Sequence, residues 1–282
     1  MPTSFSHRRA VALIANIVAT TCCLSFAANA WAEPKTPWPD PSEARRVQAY
    51  LDSKDCSGAV QAVKDGVKTR QPDVLLMAAT MMEEGICMKA DWKKAINLYE
   101  MAYQAGSVRA WFAMVAALAV EGRDNGSALW YAAQRPTGLP PYCFPKAEPL
   151  KDLDGFNAEL ERMAPNVFKA CVYMVGVTQE VSAHAFPRNA LYGNVQGSLN
   201  MKFVPSSGTI SWTFKQPADG VAGPAGYRSM ERVQFDDERT IEKRLLKYAT
   251  AVGDSALARY TRPEGIDPSI VVPREFVFSV SN

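Results

Sequence analysis

The strongest constraint on the fold of this chain is a pair of short segments that alternate between apolar and polar residues. They flank the turn Ser206-Ser207-Gly208. The apolar positions are Leu199, Met201, Phe203, Ile210, Trp212 and Phe214. Because successive side chains of a strand point to opposite faces, this period of two predicts a β-hairpin with one apolar face. The apolar face has to be covered, so we expect a layered domain around the hairpin.

Further elements around the hairpin complete this domain. A short helical turn is expected over Phe186–Ala190, before the hairpin. From Phe235 to Val252 an apolar stripe recurs at helical spacing, and a final strand is expected from Val271 to Val280. The stripe consists of Ile241, Leu245, Tyr248 and Val252. The order predicts a two-layer α+β domain in which one long helix covers a three-stranded antiparallel sheet.

The N-terminal half has helical periodicity and an internal repeat. Glu84-Gly85 followed by the helix capped by Asp91 is echoed about 35 residues later by Glu121-Gly122 and a second helix. The helices of these two units are expected over 74–84, 91–105, 110–121 and 126–134, after two earlier helical stripes. This spacing is typical of α-α repeats, in which small residues let paired helices approach closely.

The chain therefore divides into four predicted parts. Its 282 residues, 48% hydrophobic and 21% charged, are sufficient for about two folded domains. We expect a signal peptide over 1–30, helical repeats over 41–134, a proline-rich linker plus helix over 135–180, and the α+β domain over 181–282. Within the linker region, Asp152–Met163 is predicted to be helical, and the apolar run Val167–Val177 fits either a helix or a strand.

The N-terminus has the pattern of a secretory signal. His7-Arg8-Arg9 precedes an apolar segment, and Ala28-Asn29-Ala30 offers small residues for cleavage. The alternative is an uncleaved anchor, which leaves the protein on the periplasmic face of an inner membrane. Cleavage leaves 29 basic and 29 acidic residues, so no basic surface for nucleic acid is expected.

Four cysteines remain in the chain after the signal segment, namely Cys56, Cys87, Cys143 and Cys171. An even number in an exported protein predicts two disulfides, for which three pairings are possible. Proximity in sequence favours Cys56 with Cys87 and Cys143 with Cys171. The chain has no Cys-x-x-Cys pair and one histidine beyond the signal, His184, so we expect neither a metal nor a cofactor.

Part of the N-terminal half resembles Sel-one-like repeats, a family related to tetratricopeptide repeats. The resemblance covers about 74–134 and rests on Gly85, Ala95, Tyr99, Ala102 and Gly106. It implies an adaptor with a concave helical surface that binds other proteins. An ordinary small helical bundle is the alternative.

The last third of the chain, about 185–280, resembles the TonB C-terminal domain family. The matching residues are Phe186-Pro187-x-x-Ala190, Gly197, Leu199-x-Met201-x-Phe203, the Gly208 turn, Phe235-Asp236 and Phe276-x-Phe278. At the end of the long helix, Lys247-Tyr248-Ala249-Thr250 stands where the family has an aromatic-Arg-aromatic-x-Pro motif. The resemblance implies a sheet whose edge strand pairs with extended segments of envelope proteins, including outer-membrane receptors.

The last strand is the candidate partner-binding edge, because an unpaired strand offers main-chain donors and acceptors to another chain. The candidate residues are Ser269, Val271, Pro273, Glu275, Val277 and Ser279. Cover of this edge by the rest of the chain is the alternative.

No set of catalytic residues can be assembled from the sequence. His184 is the one imidazole available after the signal, and no phosphate-binding loop or nucleophile elbow is present. The favoured hypothesis is an exported periplasmic adaptor of a Gram-negative bacterium that binds envelope proteins. The alternatives are a membrane-anchored divergent TonB energy transducer and a cell-envelope hydrolase that uses carboxylates.

N-terminal sequencing of the exported protein tests the signal hypothesis. We expect a mature chain that starts at Trp31 or Glu33, after one of the two small-residue sites. An exported protein that still begins at Met1 would favour the membrane-anchored alternative instead.

Overall fold

Helices form most of the described chain, and a small sheet follows them. The computed structural model describes residues 41–135, 138–145, 152–184, 197–215 and 238–278. The signal segment 1–30, the turn expected at Phe186–Ala190, the Phe235-Asp236 pair and Ser279 lie outside these ranges. The helices are α1 Pro41–Asp52, α2 Cys56–Lys68, α3 Pro72–Glu84, α4 Trp92–Gln104, α5 Val108–Leu118, α6 Asn125–Gln134, α7 Leu153–Arg162, α8 Pro165–His184 and α9 Glu238–Arg259.

Aspartate caps begin every second helix of the N-terminal half. Asp55, Asp91 and Asp124 each accept a hydrogen bond from a backbone N–H in the first turn of α2, α4 or α6. An aspartate at this position satisfies a donor that has no partner within the helix. The three caps follow one another at intervals of about 35 residues, which is the spacing of helix-turn-helix units.

Small residues bring the paired helices close together. Ala79 on α3 and Ala95 and Ala102 on α4 are fully buried where these two helices pack against each other. Gly85 ends α3 with φ of 73°, a left-handed conformation that a residue with a Cβ adopts at a cost. The predicted end of α3 at Gly85 and the predicted cap of α4 at Asp91 are confirmed, whereas α3 begins at Pro72, two residues before its predicted start.

Helix α5 ends three residues before its predicted end at Glu121. The side-chain amide of Asn125 donates hydrogen bonds to the carbonyls of Leu118 and Val120, at 2.9 and 3.0 Å. These carbonyls lie at the helix end and have no partner within the helix. A side chain of the next helix therefore satisfies the last turn of α5, and helical periodicity alone does not reveal that.

The apolar run over Val167–Val177 is part of the long helix α8, and this helix lies at the centre of the molecule. Residues 170–183 are all buried, and α8 contacts α5, α6 and α9. A helix surrounded on all sides has no polar face, which is why its periodicity is ambiguous in the sequence. At Gly176 a Cβ would lie 2.5 Å from the ring of Tyr260, so only glycine permits this contact.

The predicted hairpin is confirmed, and the sheet has three antiparallel strands in the order β2-β1-β3. The strands are β1 Gly197–Val204, β2 Thr209–Lys215 and β3 Val272–Phe278. Leu199, Met201 and Phe203 of β1 are buried, as the period of two predicts. The sheet packs on two helices rather than one, because α9 contacts β2 and Tyr173 of α8 contacts Phe203.

This layout agrees with the expected fold class at the level of secondary structure, a helical part followed by an antiparallel sheet with a long helix. The described residues all belong to one compact unit, and α8 contacts both the α5–α6 pair and α9. Arg274 also joins the sheet to the helices, since its guanidinium lies 5.6 Å from the centre of the Phe112 ring.

Both disulfides form between cysteines that are close in sequence, as proximity favours. Cys56 at the start of α2 is bonded to Cys87 after α3, and Cys143 is bonded to Cys171 of α8. Within the described residues, no helix has both the length and the apolar character needed to cross a bilayer.

We expect the double variant Cys143→Ser/Cys171→Ser to lose about 3–4 kcal/mol of unfolding free energy, since the bond closes a loop over a sequence separation of 28 residues. Urea denaturation of the oxidised protein and the variant measures this difference. A loss below about 1 kcal/mol would show that the bond contributes little to the stability of the central helix.

Candidate functional site

The predicted partner-binding edge corresponds to β3 and the turn before it. Pro273, Glu275 and Val277 lie in β3, and Val271 immediately precedes it. Ser269 lies in a turn, where its amide and hydroxyl both donate to the Asp267 carboxylate at 2.8 and 2.7 Å. The amide of Ser269 is therefore already bonded within the chain.

Proline fixes which backbone groups of β3 point outward. Pro273 is paired with Lys202 of β1, and it has no N–H to donate. In an antiparallel ladder, residues alternate between pairs that exchange hydrogen bonds and pairs that do not. Pro273 must belong to the second kind, so the backbone groups of Pro273, Glu275 and Val277 point away from β1.

As far as the described residues go, the outer edge of β3 is open at one end and approached by another segment at the other. A Cβ built on Gly138 would lie 2.5 Å from the Pro273 carbonyl oxygen, so the backbone at Gly138 passes close to that oxygen. No described helix or strand other than β1 makes extensive contact with β3. Val277 is 63% exposed and Glu275 is also exposed. The N–H groups of these two residues form the open part.

A second feature is a buried ionic cluster, whose pairing the sequence patterns do not predict. Glu83 of α3 has a side chain that is 2% exposed, and it accepts hydrogen bonds from Arg123 and Arg259. The Tyr99 hydroxyl donates to the same carboxylate at 2.8 Å. Arg259 also pairs with Glu180 of α8 at 2.9 Å. The ionic cluster thus joins α3, the loop after α5, α8 and the end of α9.

The environment of the ionic cluster changes the acidity of its groups. Burial opposes ionisation of the Arg259 guanidinium, but Glu180, Glu83 and the phenol of Tyr260, once ionised, outweigh it and raise the pKa of Arg259. Burial and then the charge of a neighbouring glutamate raise the pKa of Tyr99 and Tyr260 well above the usual value. The Arg259 guanidinium and both phenols therefore keep their protons throughout the physiological range.

A small cleft of about 540 Å³ opens onto the ionic cluster. Its lining residues are Glu83, Glu84, Val120, Arg123, Glu180, Ser255, Ala258 and Arg259. Burial is the main cause that raises the pKa of Glu84, and Glu83 and Glu180 add to it. Because Glu83 and Glu180 are both paired with arginine, the arrangement is suited to holding helices together rather than to proton transfer.

His184 contributes to this region from the end of α8. Its Nδ1 lies 3.4 Å from Glu180, and its side chain is 41% exposed. Across the described ranges, no cluster of histidine, cysteine and acidic residues has the arrangement of a metal site. His184 is thus close to carboxylates that already have arginine partners.

The chain was compared with protein-family models, curated proteins and solved structures, and none of the three comparisons finds a match. The functional assignment therefore depends on the geometry of the described residues and on the sequence patterns.

We expect Glu83→Ala to lower the unfolding free energy by about 3 kcal/mol, because it leaves two partly buried guanidinium groups without their shared carboxylate. Chemical denaturation at neutral pH measures the change.

Glu84→Gln is the matched control, since it changes the adjacent, half-exposed carboxylate. The raised folded-state pKa of Glu84 means that its ionised form destabilises the fold. Glu84→Gln should therefore raise the melting temperature at pH 7. The gain should disappear below about pH 4, where the carboxyl is protonated in both folded and unfolded chains. Equal losses for Glu83→Ala and Glu84→Gln would contradict the role given to Glu83.

Proposed function

We propose that this protein is an exported adaptor that captures extended segments of other envelope proteins by strand addition at β3. The observation that carries the proposal is the outer edge of β3, where Glu275 and Val277 direct their backbone groups away from β1. An edge strand with free N–H and C=O groups pairs with another chain through main-chain hydrogen bonds, largely without regard to its sequence.

The side chains around this edge support selection of a partner. Val277 is exposed on the outer face of the sheet beside the open amides, and Glu275 lies two residues before it on the same face. Alternate residues of an added strand would therefore contact an apolar and an acidic side chain in turn. A segment with an apolar residue next to a basic one fits this face best.

The disulfides support an exported location, since such bonds persist in oxidising compartments. Together with the signal pattern, they favour the periplasm of a Gram-negative bacterium. The helical half supplies a second surface for protein contacts, and the regular aspartate caps of α2, α4 and α6 support its interpretation as Sel-one-like repeats. The likeness of the last third to TonB C-terminal domains belongs to the same proposal.

Val277→Pro tests the proposed edge. The substitution removes the outward amide at position 277 but no hydrogen bond to β1, so the variant should fold and lose partner capture. Capture is measured by quantitative mass spectrometry of proteins retained from envelope extract.

Val277→Thr is the matched control for that experiment. Threonine keeps the amide and favours a strand, so this variant should retain the partners of the unchanged protein. A folded Val277→Pro variant with undiminished capture would move the binding site away from β3 and towards the helical half.

A further inference from the structure

An apolar groove, distinct from the edge of β3, lies where α6, α7 and α8 meet the segment that follows α9. Its volume is about 1060 Å³, and it is broadly open to solvent. Leu160, Val172 and Tyr173 line it with buried side chains, and Met163 and Phe168 are half-buried there. The groove therefore offers a continuous apolar surface large enough for several side chains of a partner.

Hydrogen bonds and tight packing hold the walls of this groove in place. The Tyr260 hydroxyl donates to the Ala116 carbonyl at 2.9 Å, and its ring packs directly on Gly176. Asn125, another lining residue, is fixed by its two hydrogen bonds to the end of α5. A partner meets walls that are already positioned, so little ordering is required for binding.

The rim of the groove is acidic. Glu121, Glu161 and Glu264 are exposed along it, and Lys169 is the one cationic side chain among the described lining residues. Thr261 donates to Glu121 at 3.3 Å, whereas no described side chain pairs with Glu161 or Glu264. Arg262, which lies between two lining residues and acts on Tyr173, is a second cation nearby. Three carboxylates against these two cations leave the rim with a net negative charge, which attracts cations and repels acidic ligands.

We propose that this groove binds a cationic amphipathic peptide segment, with apolar side chains on the floor and lysine or arginine at the rim. Apolar burial supplies most of the affinity, and the rim carboxylates select for basic residues. The volume is at the upper end of the range of small-molecule pockets, and the open side allows a chain to enter and leave. This is a second binding site, and it does not depend on strand addition at β3.

Isothermal titration calorimetry with the full exported chain tests the proposal. The probes are two synthetic peptides with one apolar framework, acetyl-KLFKL-amide and its acidic counterpart acetyl-ELFEL-amide. We expect the basic peptide to bind and the acidic peptide to bind at least tenfold more weakly. Added salt should narrow the difference, because exposed charges are screened. Equal affinity for both peptides, or no binding of the basic peptide at millimolar concentration, would overturn the proposal.

Variants then locate the binding site. Glu161→Gln/Glu264→Gln changes two exposed side chains and should weaken the basic peptide about fivefold to tenfold, while Lys169→Gln should strengthen it about twofold to fivefold. Phe168→Ala should weaken binding of the basic peptide at every salt concentration, because it removes part of the apolar floor. Circular dichroism checks that each variant is folded.

Two controls separate the groove from β3. The β3 edge also favours segments with apolar and basic residues, so Glu275→Gln and Val277→Pro remove any contribution of that edge to peptide binding. The binding that remains should still be weakened by Glu161→Gln/Glu264→Gln and by Phe168→Ala. Loss of binding in these controls, with unchanged binding in the groove variants, would assign the peptide to β3 and overturn the proposed groove site.

Discussion

The arrangement of helices and sheet depends on a single buried carboxylate. Glu83 lies near the end of α3, and its two guanidinium partners come from the loop after α5 and from the last residue of α9. A carboxylate removed from water is tolerated only when charged partners replace its hydration. The helical half, the central helix α8 and the helix α9, which contacts the sheet, therefore meet at this ionic cluster.

Local patterns in the sequence predict the helices and strands, but they do not predict the ionic cluster at which the helices meet. The hairpin, its buried face and the C-terminal end of α3 follow from alternation, glycine and helical spacing, each of which acts over a few residues. The ionic cluster joins Glu83 to Arg259 across 176 positions. One signal for it does exist, since Glu83 follows Leu76 and Ala79 at the spacing of a buried stripe. A charged residue in a buried stripe indicates a partner of opposite charge, although the sequence does not show which residue that partner is.

For the candidate edge, too, local patterns in the sequence give only part of the geometry. That the odd-numbered residues of the last strand pair with a partner stays a prediction. The lack of an N–H at Pro273 gives a physical reason why their backbone groups point away from β1. The turn at Ser269 follows from a neighbouring aspartate, which is a local effect that strand periodicity does not include. The approach of Gly138 comes from a segment more than a hundred residues upstream, and no pattern in the last strand reveals it.

The close approach of Gly138 to β3 has a consequence for the length of any captured segment. Main-chain pairing along β3 can extend over Val277 and Glu275, but the backbone at Gly138 occupies the space beside the Pro273 oxygen. A guest strand must therefore stop or turn away there, whatever its residues are. The protein would then select a partner by where its extended stretch ends as well as by its side chains, and residues of a guest strand that reach past Pro273 towards Ser269 would add no pairing.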